Sequence, residues 1–241
     1  MRVLVFGYHL VGHACLSVLL EEGVEIAAVI THEDDPGETI WFPSVFQLAF
    51  DHKIPVRTPG PGDLTTSFFT HWVEDLKPDL IFSFYYRYLI PKNILDIPPM
   101  GALNMHGAYL PRYRGRCPVN WVLIHGETET GVTLHEMVEK PDAGDIVGQT
   151  RIPISATDTA RTLMEKVSSA GADLLRDLLP LIREGRAPRI PPDESRATCF
   201  GGRRPEDGEI DWSRSAREIH NLIRAVTHPY PGAFTTSHGK K

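Results

Sequence analysis

Three residues in the middle of the 241-residue chain have the makings of carbonyl chemistry. Asn104 and His106 stand two apart at the carboxyl end of an apolar run, residues 102–105, that reads as a strand. A period of two puts both side chains on one face of that strand, and ligands of open α/β sheets bind at the carboxyl ends of the strands. An amide there can donate to an oxygen on which negative charge develops, while an imidazole moves a proton. Further on, Val138-Glu-Lys-Pro-Asp142-Ala-Gly144 is a tight loop that can turn one carboxylate inward. An Asp142 facing His106 would fix the tautomer of the imidazole and favour its charged form. Spacing alone does not bring the two together, and Asn104 and Asp142 also suit turns.

Other groups are more ambiguous. Arg112, Arg114 and Arg116 form a basic cluster that suits either a solvated loop or an anion such as a phosphate or carboxylate. A metal site from His106, His135 and Asp142 lacks the close ligand pair of motifs such as HxxxH. Cys15, Cys117 and Cys199 are odd in number and contain no CxxC pair, which argues against a disulfide framework. The first turn, Gly7-Tyr-His-Leu-Val-Gly12, follows a strand and opens a helix, as a dinucleotide fingerprint does. His9, however, stands where the middle glycine must let the backbone approach a pyrophosphate. Thr31 and His32 occupy the end of the second strand, where that fingerprint needs an acid. The glycines of this turn are therefore read as structural.

The elements that must position these residues alternate along the chain. Short apolar strands are predicted at residues 1–6, 24–30, 55–56, 79–84 and 102–105, and helices at 10–22, 43–52 and 64–76. That order implies an α/β fold with a doubly wound, mostly parallel sheet and helices on both faces. Two strands come next, 131–138 and 146–154, with no full helix between them. A long helix, 157–184, is organised around Leu163, Val167, Leu174, Leu178 and Leu181, with Pro180 near its end. Three prolines within residues 188–192 mark a linker or extended loop, and 214–226 reads as a last short helix. The expected division is a catalytic domain over 1–187, then a linker, short helix and start of a C-terminal subdomain over 188–241. A strand beginning at 233–236 without a partner reads as the first strand of a truncated small β domain in a longer protein.

Composition narrows the function classes. Hydrophobic residues are 41% and charged residues 23%, an ordinary globular balance that excludes disorder. With 25 Lys and Arg against 31 Asp and Glu the net charge is −6, so the broad positive field that steers nucleic acid is missing. The run at 3–6 is too short to span a membrane, Glu21 and Glu22 interrupt the apolar residues after it, and no signal-peptide pattern is present. A cytoplasmic protein with no membrane partner is the expectation.

At Asn104-Met-His106, Leu110-Pro-Arg-Tyr-Arg-Gly-Arg116, Gly126-Glu-Thr-Glu-Thr-Gly-Val-Thr-Leu-His135 and Asp142-Ala-Gly144 the chain resembles the folate-dependent formyltransferases, which formylate an amine with 10-formyltetrahydrofolate. It looks most like the branch of the family that acts on UDP-4-amino-4-deoxy-L-arabinose in lipid A modification. That likeness rests on Tyr8-His9, Thr31-His32, Asp35-Pro-Gly-Glu38, Phe82-Ser-Phe-Tyr-Tyr-Arg87, Asn120-Trp-Val-Leu123 and Ala197-Thr-Cys-Phe200. The resemblance implies that Asn104, His106 and Asp142 are catalytic and that no metal takes part. It implies folate contacts at Tyr88, Leu89, Ile90, Arg116, Val138, Glu139, Lys140, Pro141 and Asp142. It implies acceptor contacts at Tyr8 and His9, with Arg114, Arg203 and Arg204 suited to a diphosphate by their planar forks. A C-terminal decarboxylase fusion and a homo-oligomer are compatible with it. The family usually reads His-x-Ser-Leu-Leu-Pro where this chain has Ala108 and Tyr109, which removes a hydroxyl and adds bulk beside the site.

Alternatives within the family are initiator-tRNA formylation and phosphoribosyl-glycinamide formylation. From another class, a non-catalytic sugar-nucleotide binding module remains. A tRNA substrate needs a basic face. After the second strand this chain instead places Glu33, Asp34, Asp35 and Glu38, with no Lys or Arg among residues 32–38.

Overall fold

In the computed structural model, which describes residues 1–236, alternate residues of the first strand, β1 (Arg2–Gly7), part to opposite faces of a sheet. Val3 and Val5 enter one apolar cluster, and Leu4 and Phe6 the other. The same alternation separates Val29 from Ala28 and Ile30 in β2 (Glu25–Ile30), and Phe82 and Phe84 from Ile81 in β4 (Leu80–Phe84). A strand buried on both faces is the mark of a parallel sheet covered by helices. The sheet has the order β3-β2-β1-β4-β5-β7-β8. Here β3 (Val56–Arg57) and β5 (Ala102–His106) run parallel to their neighbours β2 and β4. The last two strands, β7 (Glu129–Glu136) and β8 (Ile146–Pro153), are antiparallel. The winding reverses between β1 and β4, the position at which open α/β sheets form a ligand crevice.

On the first face lie α1 (His9–Glu21), α2 (Val45–Asp51), α5 (Pro118–Ile124), α6 (Ala160–Arg183) and α7 (Ala216–Val226). On the second lie α3 (Ser67–Leu76) and α4 (Lys92–Leu95). The Thr159 side chain accepts from Thr162 N–H to start α6, and a Ser215–Glu218 capping box starts α7; each satisfies end N–H groups that have no helical acceptor. No helix among the described residues is long and apolar enough to cross a membrane.

The structure departs from expectation in four places. The helix read over 64–76 is a 3-10 turn at Asp63–Thr65 followed by α3, because the Thr66 side chain accepts from Phe69 N–H and caps a new helix. The helices α4 and α5 and the two-residue parallel pair β6 (Arg114–Gly115) with β9 (Cys199–Phe200) were not expected; elements this short carry too few turns or alternations to show a period. The proline-rich segment read as a linker is fastened to the sheet. Ile190 exchanges backbone hydrogen bonds with Ile146 at 2.8 and 3.0 Å, and Arg189 pairs with Glu136. The start of a strand at 233–236, expected to lack a partner, has one: Phe234 donates to Gly208 at 3.0 Å and accepts from Ile210 at 2.7 Å. Residues 237–241, where that strand was read as breaking off, lie outside the described residues.

Candidate active site

The register between β5 and β7 sets Asn104 opposite His135 and His106 opposite Thr133. Directly opposed residues of an antiparallel pair project to the same face, so four polar side chains gather at one end of the sheet. Leu103 and Met105 point the other way, into the first apolar cluster.

The partners of the two imidazoles assign their protons. His106 Nε2 lies 2.7 Å from the Tyr113 carbonyl oxygen, and His135 Nδ1 lies 2.7 Å from that of Glu136. A carbonyl only accepts, so both nitrogens carry hydrogen. His135 Nε2 is then free to accept from the Asn104 amide nitrogen at 3.1 Å. That bond fixes which way the amide faces and leaves its second N–H to donate elsewhere. The remaining nitrogen of His106, Nδ1, lies 3.6 Å from Asp142 Oδ1, and His135 Nε2 lies 3.4 Å from the same oxygen. The Asp142 carboxylate thus lies beside His106 Nδ1 at a distance too long for a formed hydrogen bond.

Asp142 takes a left-handed backbone, φ 54°, and its other oxygen accepts from the Gly115 N–H at 2.8 Å. Burial alone would raise its pKa. The charge on His106 and the Gly115 N–H outweigh it and hold the carboxyl below the usual carboxylate range. Among the described residues no three His, Cys, Asp or Glu side chains are placed to hold a metal ion.

A strap formed by residues 189–200 steadies this arrangement from outside. The Arg114 guanidinium, only 4% exposed, makes two bonds to Glu194, which also pairs with Lys140 at 3.1 Å. Arg114 is therefore committed as a fastening between β6, the strap and the 138–142 loop, and is not a free diphosphate ligand. Of the other residues singled out for folate, Ile90 is buried with Tyr88 and Met137 packed on the same cluster. Leu89 and Val138 are left 78% and 45% exposed on the two loops flanking the polar group. Glu139, Lys140 and Pro141 are exposed beside them. Arg116 lies elsewhere, exposed against Gly202, near Arg203, which stacks on Trp121 at 4.8 Å and donates to the Asp207 carbonyl. Arg204 is exposed on the same segment, and its backbone N–H is bound by Asp207.

Tyr109 does not crowd the site. Its ring covers Gly131, where a Cβ would come within 2.7 Å of it, and Arg151 stacks on its outer face at 4.4 Å. Ala108 is buried and its carbonyl accepts from Thr133. Tyr8 and His9 stand at the far side, over β1. The Tyr8 hydroxyl donates to Asp34, and Arg87 bonds twice to Glu38 at 2.8 and 2.6 Å. The acidic segment after β2 thus folds against the carboxyl ends of β1 and β4. The residue that sequence reasoning undervalued is His135, weighed only as a metal ligand. Nothing local in the sequence marks it as the partner of Asn104, because their pairing is a matter of register.

A family model described as formyl transferase matches residues 1–179, and one described as formyl transferase, C-terminal domain, matches 203–241. Among solved structures, the chain is similar to an N-formyltransferase from Helicobacter canadensis in complex with folinic acid and dTDP-3-aminofucose. The identity is 23% over 99% of this chain and 85% of that one, with a TM-score of 0.80. A 4-N formyltransferase from Francisella tularensis aligns at 20% identity over 100% of this chain and 94% of that one, TM-score 0.77. HypX from Aquifex aeolicus in complex with tetrahydrofolic acid aligns at 20% identity over 99% of this chain and 36% of that one, TM-score 0.73. At these identities the likeness establishes the shared fold.

Proposed function

This chain belongs to the formyl transferase family, and we propose that it moves the formyl group of 10-formyltetrahydrofolate to the primary amine of a nucleotide-linked amino sugar, such as UDP-4-amino-4-deoxy-L-arabinose. The observation that carries the reading is the convergence of Asn104, His106 and Asp142, joined by His135, at the carboxyl end of β5. Exposed Leu89 and Val138 on the two flanking loops suit a flat aromatic group such as a pterin. The sugar reading is supported by the similar fold of an N-formyltransferase that holds dTDP-3-aminofucose and by the acidic segment at the crevice, which opposes a polyanion such as tRNA.

The folate supplies the formyl carbon. The free N–H of Asn104 and the Nδ1–H of His106 donate to the carbonyl oxygen as the neutral amine attacks and negative charge collects there. The Tyr113 carbonyl holds the His106 ring in place through Nε2, so Nδ1 is the nitrogen that gains and gives the proton. Asp142, ionised throughout the neutral range, accepts the proton lost by the amine; as the tetrahedral oxyanion collapses, the bond from the formyl carbon to N10 of the folate breaks and the His106 Nδ1 proton passes to that nitrogen, which leaves as tetrahydrofolate. The test is direct competition. Formyl-folate is offered with a panel of amino-sugar nucleotides and with charged initiator tRNA, and products are followed by mass spectrometry. Formylation of a sugar nucleotide is expected; efficient formylation of the tRNA alone would overturn the reading.

A further inference from the structure

Asp142 and His106 do not hold each other, since no hydrogen bond joins them across 3.6 Å. Each is fixed from its far side by the same short segment. The Tyr113 carbonyl accepts from His106 Nε2 at 2.7 Å, and the Gly115 N–H, two residues on, donates to Asp142 at 2.8 Å. The spacing of imidazole and carboxylate is therefore set by how residues 113–115 are held, and a displacement of that segment moves both groups.

The segment is not stable by itself. Tyr113 takes a left-handed backbone, φ 61°, which is unfavourable for a side chain of this size and persists only where the surroundings over-determine it. Gly115, φ 95°, runs so close to the strap that a Cβ would overlap the Phe200 carbonyl oxygen.

The backbone N–H groups of residues 113–116 show what holds them. Tyr113 N–H donates to Thr198 Oγ1 at 2.8 Å, Arg114 N–H to the Thr198 carbonyl at 2.9 Å and Arg116 N–H to the Phe200 carbonyl at 3.0 Å. The fourth, from Gly115, is the one that reaches Asp142. Thr198 thus grips the peptide planes on both sides of the Tyr113 Cα, one with its hydroxyl and one with its carbonyl. Peptide planes are rigid, so holding both fixes the two dihedrals between them. The second plane is also the one whose carbonyl faces His106. Thr198 N–H donates in turn to the Pro111 carbonyl at 3.3 Å, which ties the residue to the start of the same bend. The Tyr113 ring is held separately, stacked on Phe200 at 5.1 Å with its hydroxyl donating to Glu127 at 2.6 Å.

We propose that Thr198 is a positioning residue for formyl transfer: it holds the left-handed turn at Tyr113 that aims a carbonyl at His106 and spaces Asp142 from it. This rests on the roles given above to His106 and Asp142. Thr198 is exposed, so water can replace its hydroxyl as acceptor for the Tyr113 N–H. Water satisfies the donor without fixing where it points. Loss of the hydroxyl should therefore show in turnover and not in stability.

The test compares wild type with Thr198→Val, which keeps the branched shape without the acceptor, with Thr198→Ser, which keeps the acceptor, and with His106→Ala. Thr198→Val should lower kcat about tenfold, the worth of one hydrogen bond, with the KM values for formyl-folate and the amino-sugar nucleotide and the melting temperature unchanged. By NMR its His106 Nε2 proton should move upfield and exchange faster with solvent, because the bond to the Tyr113 carbonyl is loosened. Thr198→Ser should restore both readouts. Equal losses in Thr198→Val and Thr198→Ser would assign the effect to the methyl group, and a fall in kcat matched by a fall in melting temperature would make it structural. Either result overturns the proposal, as does normal turnover by Thr198→Val with an unmoved His106 proton. Normal turnover by His106→Ala is a different failure, that of the site reading, and takes the proposal with it. If no amino-sugar nucleotide is formylated, the acceptor reading falls and the His106 proton decides for Thr198: moved in Thr198→Val and restored in Thr198→Ser, the proposal stands; unmoved, it falls.

Discussion

At the β5–β7 edge Asn104, His106, His135 and Asp142 face one another or a backbone group at 2.7 to 3.6 Å, whereas at the β1–β4 crevice His9 Nδ1 and the Tyr85 hydroxyl have no hydrogen-bond partner among the described residues. The two regions lie back to back, with Gly107 between them. Their difference teaches what each region is built for. Charge stabilisation requires dipoles already fixed before the reaction, so that none must reorganise. The crevice has no such fixed dipoles at His9 and Tyr85, whose neutral rings pack among Trp41 and Phe42.

Breaking the fixed region should have the largest effect. Asn104→Ala and His106→Ala should each lower turnover by at least about a hundredfold, the scale of one lost oxyanion donor, while circular dichroism shows a folded chain. His135→Ala, which acts on the reaction through Asn104 and lies beside Asp142, should cost about tenfold, one hydrogen bond's worth. Near-wild-type turnover by His106→Ala would end the comparison by removing its first member.

Loosening the strap comes next. Arg114→Met removes two charge-assisted bonds to Glu194 and should lower the unfolding free energy by about 2 kcal/mol. Urea unfolding measures it, and the affinity for UDP should hold, because this guanidinium is already committed within the chain. A selective loss of UDP binding would return Arg114 to the acceptor site.

The seam between the regions is open to a smaller perturbation. Gly107→Ala forces Tyr85 aside, an overpacking expected to cost about 1–3 kcal/mol. Tyr85→Phe in the same chain should recover part of that loss. Simple additivity of the two changes in a double-mutant cycle would mean that they do not touch.

The last effects are in pH, and they separate the regions by where they begin. The folded chain binds a proton at His9 only near pH 3, and at His32 only near 4, against 6.5 for a free histidine. Below 6.5 the unfolded chain therefore binds more protons, and stability falls with pH by up to about 1.4 kcal/mol per unit for each group. Asp142 acts later. Its folded pKa lies below 3.8, so its carboxylate stabilises the fold above that value and the contribution is lost as pH falls further. Unfolding measured across pH should show His9→Asn flattening the limb between about 6.5 and 4, and Asp142→Asn flattening only the limb below about 4. Identical profiles for the two variants would show that the regions are not electrostatically distinct.

How much of this was legible beforehand depends on distance along the chain. Residues 24–30 and 79–84 announce buried strands through their own composition, and Leu163, Val167 and Leu174 announce a helix face by their spacing. The helix α5 went unread because seven residues after Cys117 hold under two turns, and the strap because three prolines within 188–192 look like any linker. The acidic segment at 33–38 was visible as a charge run, and its place against Tyr8 and Arg87 was not.

The sequence alone determined that Asn104 and His106 share a face at the end of a strand, because a period of two is fixed by the backbone of five residues. It also showed, through His9, that the first turn lacks the middle glycine of a dinucleotide fingerprint, the one that lets the backbone approach a pyrophosphate. Only the tertiary structure decided that His135 orients Asn104 from 31 residues away, that Asp142 reaches both imidazoles, and that Arg114 is buried against Glu194 80 residues on. Only the tertiary structure, too, left the Tyr85 hydroxyl without a hydrogen-bond partner among the described residues. These are matters of strand register and of loops meeting over a packed core. They are settled by the summed burial of two apolar faces, and no local period in the chain encodes them.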